Sequence, residues 1–156
     1  MVNIIGKAPI HPILFYSGKL SAYTIWLLLF ISLFSDQKID YFDLQTATSI
    51  IILCFSLILI GISIIQLGNA LRIGLPKEQT ELKTEGLYKI SRNPIYIGLN
   101  MLTLSAILFL DSFIVLLLGI YSVYIHHLII LAEEKFLQHR FNGAYYVYKK
   151  RVRRYL

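Results

Sequence analysis

The sequence has little cysteine and little charge, and both shortages narrow what it can be. Cys54 is the only cysteine among 156 residues, which excludes a disulfide framework and a thiolate metal site. Charged residues make up 15% of the chain while 56% is hydrophobic, and the mean hydropathy is +0.64. A chain this apolar does not suit a water-facing fold, so lipid is expected to be its main solvent.

Four apolar runs come close to the roughly 20 helical residues that cross about 30 Å of hydrocarbon. They cover residues 12–34, 46–71, 94–110 and 113–132. Only Asp111 and Ser112 separate the last two, which predicts a tight antiparallel hairpin. We therefore predict an all-α integral membrane bundle of about four transmembrane helices in one domain, residues 1–156, with a cytosolic C-terminal helix in the tail 133–156. Lys19 lies near the start of the first run, where it can reach toward the headgroups.

The charges between these runs orient the chain, because lysine and arginine near span ends tend to stay cytoplasmic. The loop between the first two runs has one lysine against three aspartates, whereas basic residues gather in residues 72–92 and after the fourth run. We therefore expect a multi-pass protein with both termini in the cytosol. The membrane is expected to be the bacterial inner membrane. The net charge of +6 is concentrated in the tail, which favours contact with anionic lipid headgroups and argues against nucleic acid as a partner.

One candidate site lies where the third run begins, in the stretch "SRNPIYIG" of residues 91–98. Asn93 before Pro94 is typical of a helix N-cap followed by proline in the first turn. Because the third run goes outward and the fourth returns, Glu133 and Glu134 are expected on the same side as Asn93. A helix N-terminus suits a carboxylate or phosphate, and glutamates accept hydrogen bonds from ammonium or hydroxyl groups. S-adenosylmethionine carries a carboxylate, a cationic centre and hydroxyl groups, so it would satisfy both walls of such a site.

His126 and His127 precede the glutamates, but the run lacks the HExxH spacing, so no metal is predicted. Methyl transfer to an amine or a hydroxyl requires removal of a proton, whereas a carboxylate acceptor requires no base. By helix register, Glu133, Glu134 or His127 could accept that proton.

The segments "EGLYKISRNPIYIG" and "AEEKFLQHRFNGAYYVYKKRV" resemble the isoprenylcysteine carboxyl methyltransferase-like family, which is related to the membrane phospholipid methyltransferases. The resemblance covers roughly residues 70–152. It implies a helical membrane enzyme with a cofactor pocket open to the cytosol, walled by the last two spans, and a lipophilic acceptor entering from the membrane. The residues that it assigns to S-adenosylmethionine are Tyr88, Arg92, Asn93, Pro94, Tyr96, Gly98, Glu133, Glu134, Tyr145 and Tyr148.

In the same resemblance Glu133 and Glu134 are the catalytic candidates. Asn142 stands where the family has glycine after Phe141, and asparagine also takes left-handed backbone conformations. Two other functions stay open. Sterol and steroid reductases have a similar Arg-His-Pro-x-Tyr element and bind NADPH, and a non-catalytic four-span protein can carry a glutamate pair and a basic tail at its inner interface. The identity of the acceptor and the oligomeric state are also left open.

Overall fold

The computed structural model describes residues 8–35, 43–70 and 81–156, and within them the regular elements are helical. The four α-helices are α1 (Pro12–Leu33), α2 (Leu44–Leu67), α3 (Pro94–Leu110) and α4 (Phe113–Arg151). Short 3₁₀ turns at Gly68–Ala70 and Gly86–Lys89 lie between α2 and α3. The predicted all-α bundle is confirmed. The loop charges of residues 36–42, the predicted end of the second run at Leu71, and Arg72 and Lys77 lie outside the described residues.

The helices have the length and surface of membrane spans. Among the described residues, α1, α2 and α4 are long and apolar enough to cross a bilayer, while α3 has only 17 residues. Large hydrophobic side chains cover the outside of the bundle, and Ile51, Ile65 and Ile114 are each more than two-thirds exposed. Contiguous apolar surface of this extent is unfavourable in water but matches the acyl chains of lipid. The chain is an integral membrane protein.

The third helix lies at the centre of the bundle and packs on α1, α2 and α4. Its closest approach is to α2, where a Cβ added to Gly98 would lie 2.5 Å from Cγ1 of Ile60. Three buried serines repeat every seven residues along α2, and Ser49 accepts a hydrogen bond from Ser105 of α3 on its carbonyl oxygen, at 2.8 Å. Small residues on facing helices allow such close backbone packing in membranes. Gly98 therefore serves helix contact in this structure.

The last helix continues well past the apolar run, as predicted for the tail. It is interrupted at Asn142, whose φ of 40° and ψ of −111° are not helical. After Arg151 the chain becomes extended and returns to the start of α3, where Arg153 forms a β-bridge with Ser91. The kink thereby brings the end of the chain back beside the residues that precede α3, and this return shapes the candidate site.

Candidate functional site

A buried carboxylate held by two arginines connects the three segments that meet at the N-terminal end of α3. One carboxylate oxygen of Glu134 in α4 pairs with Nη2 of Arg92 at 2.8 Å, and the other pairs with Nη2 of Arg154 at 3.0 Å. Nε of Arg154 also donates to both oxygens at 3.2 Å. Both Arg92 and Glu134 side chains are only 7% exposed. Charge-assisted bonds of this kind are strong and directional, so they fix the returning tail against α3 and α4.

Asn93 occupies the N-cap position that the sequence predicts, and Pro94 begins the helix. Its side chain, however, makes no capping hydrogen bond to α3. The amide nitrogen Nδ2 instead donates to the carbonyl oxygen of Arg154 at 3.1 Å, and Ser91 Oγ donates to the same oxygen at 3.1 Å. The predicted cap is therefore correct in position and wrong in its contact, because the returning tail offers a carbonyl acceptor that the sequence pattern does not reveal.

A cavity of about 500 Å³ opens beside this ion-pair cluster. Glu133 lines it and accepts a hydrogen bond from the Tyr96 hydroxyl at 3.0 Å. The ring of Tyr96 in turn lies 5.6 Å from that of His126, centroid to centroid. The two neighbouring glutamates thus have different surroundings: Glu134 is engaged by guanidinium groups, while Glu133 faces the cavity with a neutral hydroxyl as its partner. Adjacent carboxylates on one helix point about 100° apart, which explains the division.

Three tyrosines line the cavity near the ion-pair cluster. Burial raises the pKa values of Tyr88 and Tyr145, and it raises the pKa of Tyr148 to about 12 against the opposing effect of Arg92. All three hydroxyls are therefore protonated at neutral pH and can donate hydrogen bonds. Tyr148 already donates to the carbonyl oxygen of Tyr88 at 2.7 Å, and its ring packs edge-on against Tyr145. The Tyr148 hydroxyl is thus already engaged, and it ties the 3₁₀ turn of Tyr88 to α4.

The two histidines lie on different sides of α4. His126 is buried and lines the cavity, and its Nδ1 is 2.8 Å from Oδ1 of Asn100. His127 instead bonds the Tyr155 hydroxyl at a separate outer groove. The sequence-based suggestion of His127 as a proton acceptor therefore names the wrong one of the two for this cavity. Among the described residues, no group of three or more histidine, cysteine or acidic side chains could hold a metal ion.

The structure brings most of the predicted site residues to one cavity. Those that line it are Tyr88, Arg92, Asn93, Tyr96, Glu133, Glu134, Tyr145 and Tyr148. Pro94 and Gly98 are buried in α3 and are not among the lining residues. The cavity also differs from the expectation that the last two spans wall it, because residues of α1 and α2 contribute to its lining.

Several charged residues of this region were not predicted for the site, among them Arg154 and Lys19. Arg154 was assigned only to a basic tail at the headgroups, yet it binds Glu134. Lys19 of α1 lines the cavity, whereas it was expected to extend to the lipid surface. A cation inside an apolar run is itself a signal of function, so the sequence contained a reason to consider Lys19. Nothing in the local sequence of Arg154 indicates its partner, because the contact depends on the return of the chain after Asn142.

Comparison with known proteins agrees with this architecture. The profile of the family described as Phospholipid methyltransferase matches residues 44–144, which include α2, α3 and α4 as far as the kink. A search of curated proteins finds no match, and a search of solved structures finds none either. The matched segment contains Arg92, Glu133 and Glu134 and is more than half of the 156 residues. The chain belongs to the phospholipid methyltransferase family.

Proposed function

We propose that the protein transfers a methyl group from S-adenosylmethionine to a lipophilic acceptor held in the membrane. One observation carries the proposal: a single cavity joins a buried cluster of charged and hydroxyl groups to a wall of apolar residues from the spanning helices. The volume of about 500 Å³ lies within the range of small-molecule sites. Membership in a methyltransferase family supports this reaction over hydride transfer from NADPH.

Two buried polar atoms beside the cavity support S-adenosylmethionine as the cofactor. Within the described residues, Nε of Arg92 and the hydroxyl oxygen of Tyr145 have no hydrogen-bond partner. Buried polar groups normally have one, so an unpaired donor at a cavity wall is consistent with a ligand that accepts from it. The carboxylate and the hydroxyls of the cofactor are such acceptors. Arg92 and Tyr145 are therefore proposed to bind its polar end, with Tyr88, Asn93 and Tyr148 completing the wall.

The two glutamates are assigned different tasks. Glu134 positions the guanidinium of Arg92, because both of its oxygens are already bonded to arginines. Glu133 faces the cavity and is proposed to touch the cofactor or the acceptor. When bound, S-adenosylmethionine supplies an electrophilic methyl group on a sulfonium that is a good leaving group. The protein must then align the acceptor with that methyl group and exclude water.

An amine or hydroxyl acceptor must also lose a proton, and the cavity offers two groups that can accept it. One is the carboxylate of Glu133. The other is His126: since an amide oxygen only accepts, its bond to Asn100 Oδ1 places the proton on Nδ1 and leaves a lone pair on Nε2. Tyr96 links the two groups, bonding Glu133 through its hydroxyl and packing its ring near His126.

The apolar half of the cavity is proposed to admit the acceptor from the bilayer. Its lining includes Trp26 of α1 and Ile60 and Ile64 of α2, which lie within membrane spans. The same cavity is lined by the beginning of α1 and α3, the end of α2, and Glu133 beyond the apolar part of α4. An arrangement with these ends on one side supports four crossings, with both termini and the polar half of the site on the cytosolic side.

The test is binding followed by transfer. The purified protein in neutral detergent is titrated calorimetrically with S-adenosylhomocysteine and, separately, with NADPH. We expect S-adenosylhomocysteine to bind and NADPH not to bind; binding of NADPH alone would contradict the proposal and favour a reductase. Native membranes containing the protein are then incubated with S-adenosylmethionine radiolabelled in the methyl group and extracted for lipid. Label above that of membranes lacking the protein is expected in the lipid fraction. Absence of label from lipid, protein and small molecules would support a non-catalytic role.

A further inference from the structure

Lys19 lies inside the cavity rather than at the lipid surface. It is seven residues into α1, which places it about 10 Å along the helix from Pro12. Its Nζ is 4.4 Å from the centroid of the Phe15 ring, and Phe15 is itself buried against Ile125 and Ile129 of α4. Both Lys19 and Phe15 line the cavity. The ammonium group is therefore held against an inward-facing aromatic ring and points toward the space where an acceptor is expected.

The other cations of the cavity wall are already paired. Arg92 is bonded to Glu134, and Lys83 is bonded to Glu81 at 2.7 Å. Lys19 differs, since no carboxylate of the described residues lies within 4.0 Å of it. Glu133 lines the same cavity and interacts electrostatically with Lys19 from beyond 4.0 Å, but its hydrogen bond is to Tyr96. An ammonium with no direct ion pair among the described residues is unfavourable at this depth in an apolar span, and an anion that binds beside it stabilises it.

The position of Lys19 in the chain separates it from the part shared with the family. The family match begins at residue 44, so the whole of α1 lies outside it. Of the residues assigned above to the cofactor, Tyr88, Arg92 and Asn93 lie inside the match, and Tyr145 and Tyr148 lie just past its end at residue 144. The contribution of α1 to the cavity is therefore known from this structure and not from the family match. Enzymes that share a cofactor differ in their acceptors, so a residue of the cavity wall away from the cofactor is suited to select the acceptor.

We propose that Lys19 binds an anionic group, a phosphate or a carboxylate, on an acceptor with an apolar chain, and so determines which acceptors the protein accepts. The anion pairs with the ammonium of Lys19, and the apolar chain lies along Trp26 and the inward face of α1. The group to be methylated then lies between Lys19 and the Glu133 side of the cavity. This inference rests on the proposed function for the reaction, but the binding of an anionic amphiphile can be measured without it.

Trp26 provides the measurement, because it is the single tryptophan of the chain and it lines the cavity. The full-length protein in dodecyl maltoside micelles is titrated with dodecyl phosphate, with dodecanoate and with neutral dodecanol, and the fluorescence of Trp26 is recorded. Inorganic phosphate is titrated separately to distinguish a free anion from one carried on an apolar chain. We expect a saturable change with at least one of the two anionic amphiphiles, and no saturable change with inorganic phosphate at the same concentrations.

The variants locate the effect at the ammonium. Lys19→Met keeps a similar unbranched side chain, suits a membrane helix and is expected to weaken binding of the anionic amphiphile by about tenfold or more, which is about 1.4 kcal/mol. Lys19→Arg should retain binding, and Lys135→Met, which removes an exposed lysine of α4, should match the unaltered protein. The response of Trp26 fluorescence to dodecanol should be the same in Lys19→Met and in the unaltered protein.

Three results would overturn the inference. The first is that the unaltered protein and Lys19→Met bind the anionic amphiphiles with equal affinity. The second is that neither anionic amphiphile binds, and the third is that inorganic phosphate binds as tightly as dodecyl phosphate. S-adenosylhomocysteine binding is measured on the same samples and is expected to be the same in Lys19→Met. If S-adenosylhomocysteine fails to bind to the unaltered protein, the proposed function fails, while the result for the amphiphiles stands or falls by itself.

Discussion

The guanidinium of Arg92 and the carboxylate of Glu134 meet at 2.8 Å with both side chains almost completely buried. Arg92 lies two residues before the start of α3, and Glu134 lies on α4 just beyond its apolar part, so this ion pair ties the N-terminal end of α3 to α4. Arg154 adds a second guanidinium from the returning tail. The candidate site is therefore built on a three-segment ionic junction, with Glu133 next to it facing the cavity.

Glu134→Gln is expected to destabilise the protein strongly. Removing one partner of a buried ion pair leaves uncompensated charge, at a cost of about 3–5 kcal/mol. Here two arginines lose their anion together. The measurement is the thermal unfolding midpoint in micelles. Arg153→Gln is the matched control, since Arg153 is an exposed arginine next to Arg154. A midpoint for Glu134→Gln equal to that of the control would show that the junction does not hold the fold.

Glu133→Gln is expected to affect turnover far more than stability. The glutamine side chain has nearly the same shape and can still accept from the Tyr96 hydroxyl, so the folded state loses little. Turnover should fall about 100-fold or more if the carboxylate accepts a proton from the acceptor or orients the reacting groups. Transfer of labelled methyl groups and thermal unfolding are measured on one preparation. Full turnover in this variant would remove Glu133 from the chemistry.

The adjacent histidines provide a matched pair of variants. His126→Gln should lower turnover, because His126 lines the cavity and keeps a lone pair on Nε2. His127→Gln should leave turnover within about twofold, since His127 bonds Tyr155 at a different surface. The readout is the rate of methyl transfer at saturating S-adenosylmethionine. The reverse pattern, with His127→Gln impaired and His126→Gln active, would contradict the assignment of the cavity.

Hydropathy and charge were sufficient to predict the bundle. The third and fourth apolar runs match α3 and the beginning of α4, because a helix that crosses lipid must satisfy its own backbone and remain apolar. The placement of Asn93 on the same side as the glutamate pair followed from topology, since an antiparallel hairpin returns the chain to the side from which it started, whereas Arg92 was assigned through the family resemblance. Of the ten residues predicted for the site, only Pro94 and Gly98 do not line the cavity.

The contacts made by the tail could not be predicted in the same way. Asn93 was a reasonable cap by residue type, but its side-chain amide donates to the carbonyl oxygen of Arg154. The position of Arg154 depends on the kink at Asn142. Lys19 was assigned to the headgroups because a sequence shows how far a lysine can reach and not which direction it takes. The Asn93 contact is long-range, which helix periodicity does not encode, and the place of Lys19 at the cavity depends on how the other helices pack around α1.

Two substitutions of Asn93 separate a capping role from a tail-anchoring role. Aspartate is as good an N-cap as asparagine, but it has no N–H to donate to the Arg154 carbonyl oxygen. We therefore expect Asn93→Asp to be destabilised by about 1 kcal/mol, as is Asn93→Ala, because both lose that hydrogen bond. Tail release is measured by the rate of tryptic cleavage after Arg153 and Arg154. Stability and cleavage of Asn93→Asp that match the unaltered protein would restore the capping interpretation.

The kink at Asn142 yields a prediction that tests how the tail reaches the site. With φ of 40° and ψ of −111°, Asn142 adopts a positive-φ conformation that glycine tolerates, that costs a residue with a Cβ roughly 1–3 kcal/mol, and that asparagine adopts more readily than alanine. Asn142→Gly should therefore preserve or raise the free energy of unfolding, and Asn142→Ala should lower it by about 1 kcal/mol or more.

Gly143 supplies the matched control for this prediction. It does not have a positive φ, and a Cβ added to it meets no atom within 4 Å. Gly143→Ala should therefore be neutral or stabilising by up to about 1 kcal/mol, opposite in sign to Asn142→Ala. Both are measured by chemical unfolding in micelles, together with tryptic cleavage of the tail. If Asn142→Ala also frees the tail while Gly143→Ala does not, the kink is what delivers Arg154 to Glu134; equal stability and equal cleavage of the two variants would show that the tail docks without it.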